Sequence, residues 1–519
     1  MGEASASPSA TGARRRPGPV PLPPVQLWHP GREQGVMERV DPNKFLAQIH
    51  QTILAYREGG DRAKLPIAEK LCHEFLTHNP DSPQGLYLLG SVYTDLGYHG
   101  AAVALLSRAV QISPQITEAW NNLGLCLRLV KQRDGAIKAL TEAERRKPGS
   151  PLILGNLAAC YINEASPQIA LEIANRALKS NPNDDSARWN KCLALLEMGR
   201  FEEAWPLHEI RLGGRIENKI AVRNYHSNKK TPWWDGKTPQ LVACHGEQGL
   251  GDEIMFASCL PDAIATGAKI VVECAPRLQK TFERSFPGAI IHGTHEINGH
   301  EWTKAWGLPD SMTALGSLPK FYRIKAENFP RKPFLKNDAA ETERILARLP
   351  RDKPIIGITW EGGVEKTRYG ERSVPLSFMY PLLLQNVTWV SLNYVKDSGK
   401  EAELLFGETG IRVHHFTDLV EAPADIDHLV NLTAGLDLVI TVSQTALHVA
   451  GALGIPCWVL APSKPDWRLG MEAQRMPWYG DEMRIFRQVG PHWHNLIERV
   501  AWELGQKLES VYVEQGKAA

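Results

Sequence analysis

A repeat of 34 residues runs through the first half of the chain and restricts its fold more than any other feature. Alanine recurs at this step five times and proline four times, at Ala68, Ala102, Ala136, Ala170 and Ala204 and at Pro80, Pro114, Pro148 and Pro182. Small residues keep the same step at Gly90, Gly124, Ala158 and Cys192. Such a period is typical of a solenoid, in which each unit buries its apolar face only against its neighbours. We predict a pair of antiparallel helices per repeat, with the small residues at the helix crossing and the proline after the second helix.

Two consecutive segments show the period most clearly. They are PQGLYLLGSVYTDLGYHGAAVALLSRAVQISP at 83–114 and TEAWNNLGLCLRLVKQRDGAIKALTEAERRKP at 117–148. These segments resemble the tetratricopeptide repeat, and the resemblance covers residues 43–213. A solenoid of this kind has a concave groove that suits a peptide or a partner helix. Two uses stay open at this point: the groove binds a protein partner, or the repeats serve only self-association or the stability of the domain behind them.

Composition excludes several functional classes. The chain has 59 lysines and arginines against 58 aspartates and glutamates, so its charge gives no reason to expect a nucleic-acid or membrane-surface partner. Eight cysteines form no CxxC pair and lie mostly in apolar stretches, which predicts buried free thiols and a cytoplasmic location. No apolar run is long enough to span a membrane. We predict a disordered Pro-rich tail at 1–42 and a short tail at 511–519.

The second half contains the strand, helix, strand pattern of a parallel sheet. Residues 437–442 are apolar and β-branched, 445–453 have helical spacing, and 457–461 are apolar again. The turn between such a strand and its helix presents unpaired backbone N–H groups and the positive end of the helix dipole, which suit a phosphate or diphosphate.

Four residues at this turn are candidates for contact with that ligand, namely Ser443, Gln444, Thr445 and His448. The alternative is purely structural. In that case Ser443 caps the helix, Thr445 fills its first turn and His448 is a core imidazole.

A second unit of the same kind contains a glycine-rich turn. A strand is predicted at 241–244, the turn at 245–251 and the next strand at 269–274. The turn reads GxxGxG and not the dinucleotide pattern GxGxxG, because Ile254 stands where the third glycine would be, so NAD is not predicted. Gly249 and Gly251 would form a loop for an acceptor or a phosphate. Asp252 is either an ordinary helix N-cap or a general base that takes the proton from an attacking hydroxyl.

A third unit begins with the strand PIIGITW at Pro354. The loop after it carries Lys366, Arg368 and Arg372, and cations at this position can neutralise a diphosphate leaving group. For Lys366 and Arg368, a solvated basic loop is the alternative. The two arrays of strands and helices join near residue 350, which predicts a ligand in the cleft between them.

Residues 231–509 resemble glycosyltransferase family 9, the heptosyltransferase family, in the form that is fused to tetratricopeptide repeats in bacterial proteins. The matching segments are TPWWDGK, GEQGLGDEIMF, GITWEGG, ERSVPL, HVAGALGIPCWVL, PDWR, PWY and IFRQ. The resemblance implies a GT-B fold, an α/β structure of two Rossmann-like lobes. After a connector at 214–239, the lobe at 240–350 lies on the acceptor side and the lobe at 351–510 binds the nucleotide-sugar donor.

The resemblance also implies roles for particular residues. Asp252 is implied to be the catalytic base, and His448 and the Arg372–Ser373 pair are implied to bind the donor. No metal and no cofactor are required, since the nucleotide-sugar is a co-substrate. The chain departs from the family where Ser443-Gln444 replaces the usual Asp-Thr and where the loop usually written DRNRS reads YGERS at 369–373.

We therefore predict a metal-independent inverting glycosyltransferase that moves a hexosyl or heptosyl group from a nucleotide-sugar to a hydroxyl of a protein or glycan acceptor. The repeats would recruit the acceptor or a protein partner. The alternative is a non-catalytic tetratricopeptide scaffold with a degenerate nucleotide-binding GT-B domain. The Ser443-Gln444 replacement favours that alternative, whereas the GLGD turn and His448 favour the enzyme.

Overall fold

The protein consists of a helical first half followed by two parallel β-sheets. The computed structural model describes residues 41–214, 216, 219–226, 229–294, 303, 305–362, 369–394, 398–420, 426–464, 467–470, 474–490 and 492–514. Nearly all of the predicted tail at 1–42, most of the one at 511–519, and the loop cations Lys366 and Arg368 lie outside these residues. Within them, no helix combines the length and the apolar character that crossing a membrane requires.

The described part of the first half forms ten helices. They are α1 (Pro42–Gly59), α2 (Lys64–His78), α3 (Pro83–Leu96), α4 (His99–Ile112), α5 (Thr117–Leu129), α6 (Arg133–Arg146), α7 (Pro151–Asn163), α8 (Pro167–Ser180), α9 (Asp185–Glu197) and α10 (Phe201–His208). Consecutive helices pack against each other along the series. Helices α2, α4, α6 and α8 each end two residues before one of the periodic prolines. The predicted helix pair with a terminating proline is confirmed.

The periodic small residues lie where the paired helices approach most closely. A Cβ atom at Gly90 would stand 2.7 Å from Cγ of Leu106, and one at Gly124 would collide with Leu140. At the equivalent positions of the next repeats, Ala158 and Cys192 are completely buried. Because protein interiors are close-packed, a larger side chain at these positions would push the helices apart.

The described residues of the second half contain ten parallel strands in two sheets. The first sheet has the order β3-β2-β1-β4, with β1 (Leu241–His245), β2 (Lys269–Cys274), β3 (Ile290–Gly293) and β4 (Ser311–Ala314). The second has the order β10-β9-β8-β5-β6-β7, with β5 (Ile355–Ile358), β6 (Thr388–Ser391), β7 (Val413–His414), β8 (Leu438–Val442), β9 (Cys457–Ala461) and β10 (Met483–Arg487). The predicted α/β character is confirmed, and strands such as β8 are buried along their whole length, as strands between two layers of helices are.

Further helices accompany the sheets. They are α11 (Leu250–Ala257), α12 (Leu260–Ala265), α13 (Gln279–Ser285), α14 (Pro319–Tyr322), α15 (Ala339–Leu346), α16 (Tyr369–Arg372), α17 (Tyr380–Leu383), α18 (Ser398–Thr409), α19 (Thr417–Val420), α20 (Asp427–Ala434), α21 (Thr445–Leu453) and α22 (His494–Glu514). Helix α22 continues through the first residues of the segment that was predicted to be a C-terminal tail. Its apolar face, which includes Ile497 and Leu504, is buried on the second sheet, and this packing holds the helix in place.

The predicted polar connector at 214–239 packs onto the first sheet. Backbone N–H of Trp234 donates to the carbonyl of Met312 over 2.8 Å, and Met312 N–H donates to the carbonyl of Pro232 over 2.8 Å. The indole of Trp234 is buried. The connector therefore covers the edge of the sheet at β4, which its polar composition did not indicate.

The last repeat of the solenoid and the two sheets share one hydrophobic core. This core contains Leu196 and Trp205 from the repeats, Met255 from α11 and Leu447 from α21. The indole Nε1 of Trp205 donates to the carbonyl of Arg323 over 2.7 Å. The C-terminal end of the solenoid is thus fixed directly against the region that contains the candidate site.

Candidate functional site

The glycine-rich turn of the first sheet meets the helix that follows β8 in the second sheet. Helices α11 and α21 pack against each other. A Cβ atom at Gly251 would stand 2.7 Å from Cδ2 and 3.3 Å from Nε2 of His448. Only glycine leaves room for the imidazole at this contact. Two predicted site residues from different sheets are therefore in direct contact.

A buried tyrosine orients His448. The imidazole is 6% exposed, and its Nδ1 lies 2.7 Å from Oη of Tyr479. Burial raises the pKa of Tyr479 well above its usual value, so the phenol keeps its proton. The protonated phenol can donate to Nδ1, and in that tautomer of the neutral imidazole the ring proton is on Nε2, the nitrogen closer to Gly251. The prediction missed Tyr479, although the segment PWY had marked it as part of the family resemblance.

Asp252 lies in the first turn of α11 but does not cap it. The N-cap is Gly249, two residues before Gly251, so the interpretation of Asp252 as an ordinary N-cap is wrong. Instead, Oδ1 of Asp252 lies 2.5 Å from Nε of Arg468, and Nη2 of Arg468 donates to Oε1 of Gln248 over 3.0 Å. The carboxylate is 17% exposed. Arg468 thus holds one carboxylate oxygen, and the other, Oδ2, is the atom to which a hydroxyl could transfer its proton while the ion pair persists.

The start of α21 carries no side-chain cap. Its N-cap is Gln444, so the interpretation of Ser443 as the cap is wrong. Ser443, Gln444 and Thr445 are all less than a tenth exposed. Nε2 of Gln444 and Nδ2 of Asn393, at the end of β6, are buried amide nitrogens without a hydrogen-bond partner among the described residues. Buried donors of this kind are uncommon in native proteins and are consistent with a ligand at this edge of the sheet.

Arg372 and Ser373 lie next to the turn after β8. Backbone N–H of Gly362 donates to Oγ of Ser373 over 3.0 Å. A Cβ atom at Gly362 would stand 3.1 Å from the carbonyl oxygen of Arg372 and 3.2 Å from that of Ser443. The absence of a side chain at Gly362 lets the loop after β5 approach the loop after β8. The predicted donor-binding residues of these two loops are thereby neighbours.

A cavity of about 520 Å³ opens beside the glycine-rich turn. Lys219, Arg223 and Arg277 line it together with Glu253. Burial raises the pKa of Glu253 to about 8, and one carboxyl oxygen accepts the backbone N–H of Ala275 over 2.9 Å. Glu253 is therefore mostly protonated at neutral pH. The lining also includes Glu247 and Glu273, which pair with Arg211 and Arg223, so the cavity contains charges of both signs.

A buried ion pair joins the glycine-rich turn to the end of the solenoid. Nη2 and Nε of Arg211 lie 2.6 Å and 2.8 Å from the two carboxylate oxygens of Glu247, and neither side chain is exposed. Arg211 also donates to Oγ of Ser317 over 3.0 Å. No sequence pattern indicated this pair, because its arginine belongs to the repeat region and its glutamate to the turn.

The thiols of the protein are as predicted, since all eight cysteines are buried and free. Potential metal ligands are scattered: among the described residues, no three His, Cys, Asp or Glu side chains are grouped in a way that would hold a metal ion. The independence of the reaction from metal stays a prediction.

Comparison with known proteins bears on the repeats. Residues 83–116 match the family model for the tetratricopeptide repeat. The helical first half is a tetratricopeptide-repeat solenoid. Among solved structures, the chain is similar to MamA, with 23% identity, a TM-score of 0.27 and coverage of 30% of this chain and 88% of MamA. It is also similar to TTC0263, a tetratricopeptide-repeat protein of Thermus thermophilus, with 21% identity, a TM-score of 0.28 and coverage of 32% of this chain and 88% of that one.

Two curated proteins are similar in sequence. Protein FlbA of Caulobacter vibrioides is 27% identical over 461 residues, which cover 85% of this chain and 76% of FlbA. The BBSome complex member BBS4 homolog of Drosophila melanogaster is 31% identical over 115 residues, which cover 22% of this chain and 23% of that protein.

Proposed function

We propose that the protein is a metal-independent inverting glycosyltransferase with a GT-B catalytic half. In this proposal it transfers a sugar from a nucleotide-sugar to an acceptor hydroxyl. The observation that carries the proposal is the contact between Gly251 and His448, because it brings the turns at the carboxyl ends of both sheets to one place. Ligands of open α/β sheets bind at such ends.

The donor diphosphate would bind at the start of α21. The helix offers backbone N–H groups with no side-chain cap, the positive end of its dipole and the buried amide of Gln444. Arg372 lies in the adjoining loop, and His448 would carry its ring proton on Nε2, with Nδ1 accepting from Tyr479. These groups would stabilise the negative charge that develops on the departing diphosphate.

Asp252 would act as the general base. The acceptor hydroxyl attacks the anomeric carbon, its proton passes to the Asp252 carboxylate, and the bond to the diphosphate breaks. Because Arg468 holds Asp252 in the described structure, we expect the diphosphate to compete for the guanidinium and to release the carboxylate when the donor binds. The cavity beside the glycine-rich turn would hold the acceptor.

The solenoid would recruit the acceptor or a protein partner. Asn122, Asn156 and Asn190 follow the 34-residue step, and two of them line a cavity of about 350 Å³ between α5, α7 and α9. Nδ2 of Asn156 donates to Oδ1 of Asn121, and Nδ2 of Asn190 donates to the carbonyl of Gly155, each over 2.9 Å. These bonds hold the amide planes in place, and fixed side-chain amides are suited to hydrogen bonds with a peptide backbone.

A thermal-shift screen of the intact protein tests the donor site. The probes are UDP, GDP, ADP and CMP and their common sugar conjugates, each tested on the wild-type protein and on His448→Ala. A ligand that binds the folded state raises the unfolding temperature by mass action, so one nucleotide should stabilise the wild type and not the variant. His73→Ala, on α2 near the N-terminal end of the solenoid, is the control and should keep the shift. If no nucleotide stabilises the wild type, the donor site is refuted.

A non-catalytic scaffold is the second candidate, and a specific contact favours it. The ion pair with Arg468 engages one of the two carboxylate oxygens of Asp252, the residue that the enzyme would need as a base. In this case the second half would bind a nucleotide or hold an assembly together without turnover. Two results together would favour the scaffold. The protein would bind a nucleotide without transferring or hydrolysing any donor, and it would capture a protein partner through the repeats.

A further inference from the structure

Four charged side chains form a continuous chain of ion pairs between the solenoid and two loops of the second sheet. Arg133 begins α6 and Glu164 follows α7, so both lie in turns of the solenoid. Glu371 lies in α16, in the loop after β5, and Lys464 lies in the loop after β9. Along this series of ion pairs the residues follow in the order Glu371, Arg133, Glu164 and Lys464.

The contacts along this chain are close. Nη2 of Arg133 lies 2.6 Å from Oε1 of Glu371, and Nε of Arg133 lies 3.3 Å from Oε1 of Glu164. Nζ of Lys464 pairs with the other carboxylate oxygen of Glu164. The four side chains are between 19% and 30% exposed. The more exposed Lys131 also lies 3.8 Å from Glu371, so three positive and two negative charges meet here. In a partly buried setting of this kind, ion pairs are screened less than on an open surface.

The sheet order places the two tethered loops on opposite sides of the candidate donor helix. Strand β8, which leads into α21, pairs with β9 on one side and with β5 on the other. The loop after β9 contains Lys464, and the loop after β5 contains Glu371. Adjacent solenoid turns thus hold both loops that flank the start of α21.

Glu371 is also next to the predicted donor-binding pair. It immediately precedes Arg372 and Ser373, and Ser373 accepts the N–H of Gly362. One residue further on, the N–H of Val374 donates to the carbonyl of Trp360 over 2.7 Å. A shift of Glu371 would therefore be transmitted to the segment that approaches Ser443.

We infer that Arg133 and Glu164 are positioning residues of the donor site, which fix the distance between the two loops on either side of α21. The ligand of that site, a nucleoside diphosphate, rests on the proposed function. The solenoid is then more than a recruiting module, because its turns complete the frame of the site. A simpler role, in which the same ion pairs only hold the two halves together, predicts a different result in each of two measurements.

The first measurement is a double-mutant cycle on nucleotide affinity. Arg133→Gln, Glu371→Gln and the double variant are titrated with UDP, GDP and ADP by calorimetry. Each single change should weaken binding of the accepted nucleotide about three- to tenfold. The loss in the double variant should be smaller than the product of the two single losses, because both changes remove the Arg133–Glu371 interaction. Arg176→Gln, which breaks a pair with Glu144 inside the solenoid, is the matched control and should bind like the wild type. Unchanged affinity in Arg133→Gln, or additive losses in the double variant, would overturn the inference.

The second measurement does not depend on a nucleotide. Hydrogen exchange of the Gly362 and Val374 amides should be faster in Arg133→Gln and in Glu164→Gln than in the wild type, while the strands of the second sheet keep their protection. Unchanged exchange at both amides would refute the positioning role. If the wild-type protein binds neither these three nucleotides nor any other probe of the thermal-shift screen, the proposed function fails. The exchange result alone then decides whether these residues position the loop.

Discussion

Arg468 and Asp252 link the two sheets at the centre of the candidate site. The guanidinium Nε of Arg468 lies 2.5 Å from Oδ1 of Asp252. The arginine comes from the loop after β9 and the aspartate from the turn after β1. The proposed base Asp252 is thus held by a cation from the second sheet. An anion that binds Arg468, such as the donor diphosphate, would compete with Asp252 for it.

The exchange of Asp252 for asparagine tests its role as base. The amide oxygen of the new side chain could still accept a hydrogen bond from Arg468, but the amide could not take a proton from the acceptor. We expect Asp252→Asn to lower kcat by about 100-fold or more. Nucleotide affinity should stay equal to that of the wild type or increase, because the neutral amide competes less well with the diphosphate for Arg468. Steady-state transfer assays measure kcat, and calorimetry on the same sample measures nucleotide affinity. Turnover close to that of the wild type would remove Asp252 from the mechanism.

Tyr479→Phe tests the orientation of His448. The variant loses the phenol that lies 2.7 Å from Nδ1, so the imidazole can turn or change tautomer. We expect nucleotide affinity to fall about three- to tenfold, together with a loss of stability of about 1 kcal/mol. Tyr322→Phe is the matched control, since its phenol donates to the carbonyl of Gly236 over 2.7 Å, away from the site. It should lose similar stability but keep its affinity, and equal affinity losses in both variants would contradict the assignment.

Glu253 makes stability depend on pH in a predictable direction. Its pKa rises from 4.5 to about 8 in the folded protein. Between these values the folded state holds the proton and the unfolded state does not. This contribution to stability is therefore complete below pH 4.5 and is lost as the pH rises through about 8.

Between the two pKa values of Glu253, the free energy of unfolding should fall by up to about 1.4 kcal/mol per pH unit as the pH rises. Glu253→Gln resembles the protonated side chain and should make the free energy of unfolding depend less on pH. The stability of the variant relative to the wild type should therefore be greatest at high pH, above the folded-state pKa. Chemical denaturation at several pH values measures the effect. Parallel pH profiles for the two proteins would show that Glu253 titrates normally.

Removing only one partner of the Arg211–Glu247 ion pair should strongly destabilise the protein. Both side chains are fully buried, so Arg211→Met leaves an uncompensated carboxylate in the interior and should cost about 3–5 kcal/mol of unfolding free energy. Arg211→Met combined with Glu247→Leu removes both charges and should recover much of that loss. Denaturant unfolding of the three proteins measures this. A double variant no more stable than Arg211→Met would mean that packing, and not the buried charge, limits stability.

The sequence predicted the repeating and strand-forming features well for physical reasons. The 34-residue step is a consequence of close helix contacts at positions such as Gly124, and these constraints repeat with each unit. Strands such as β2 (Lys269–Cys274) and β9 (Cys457–Ala461) were placed to the residue, because buried parallel strands are continuous apolar runs between turn residues. Local composition determines such features.

The partners of the site residues were not predictable in the same way. Which cation meets Asp252, and which glutamate meets Arg211, depends on how three separate units pack. The caps were misjudged for a related reason: Gly249 and Gln444 begin their helices although Asp252 and Ser443 are better capping residues, because the backbone at each turn follows the sheet and not the local preference. The strand-to-helix turn itself predicted ligand contact for Ser443, Gln444, Thr445 and His448, and the cationic loop did so for Arg372, whereas the role of Ser373 was implied only by the family resemblance.

The fixed end of the solenoid sets which parts of this protein can be exchanged. Among the described residues, the ion pairs between the solenoid and the sheet region include those of Lys131, Arg133 and Arg211. The helices α1–α4 lie upstream of all three residues. Repeats grafted, deleted or duplicated before α5 would therefore change the length of the groove while the frame of the site stays intact. New binding specificity should therefore be engineered in the N-terminal repeats, while the C-terminal repeats that contact the sheet region are left unchanged.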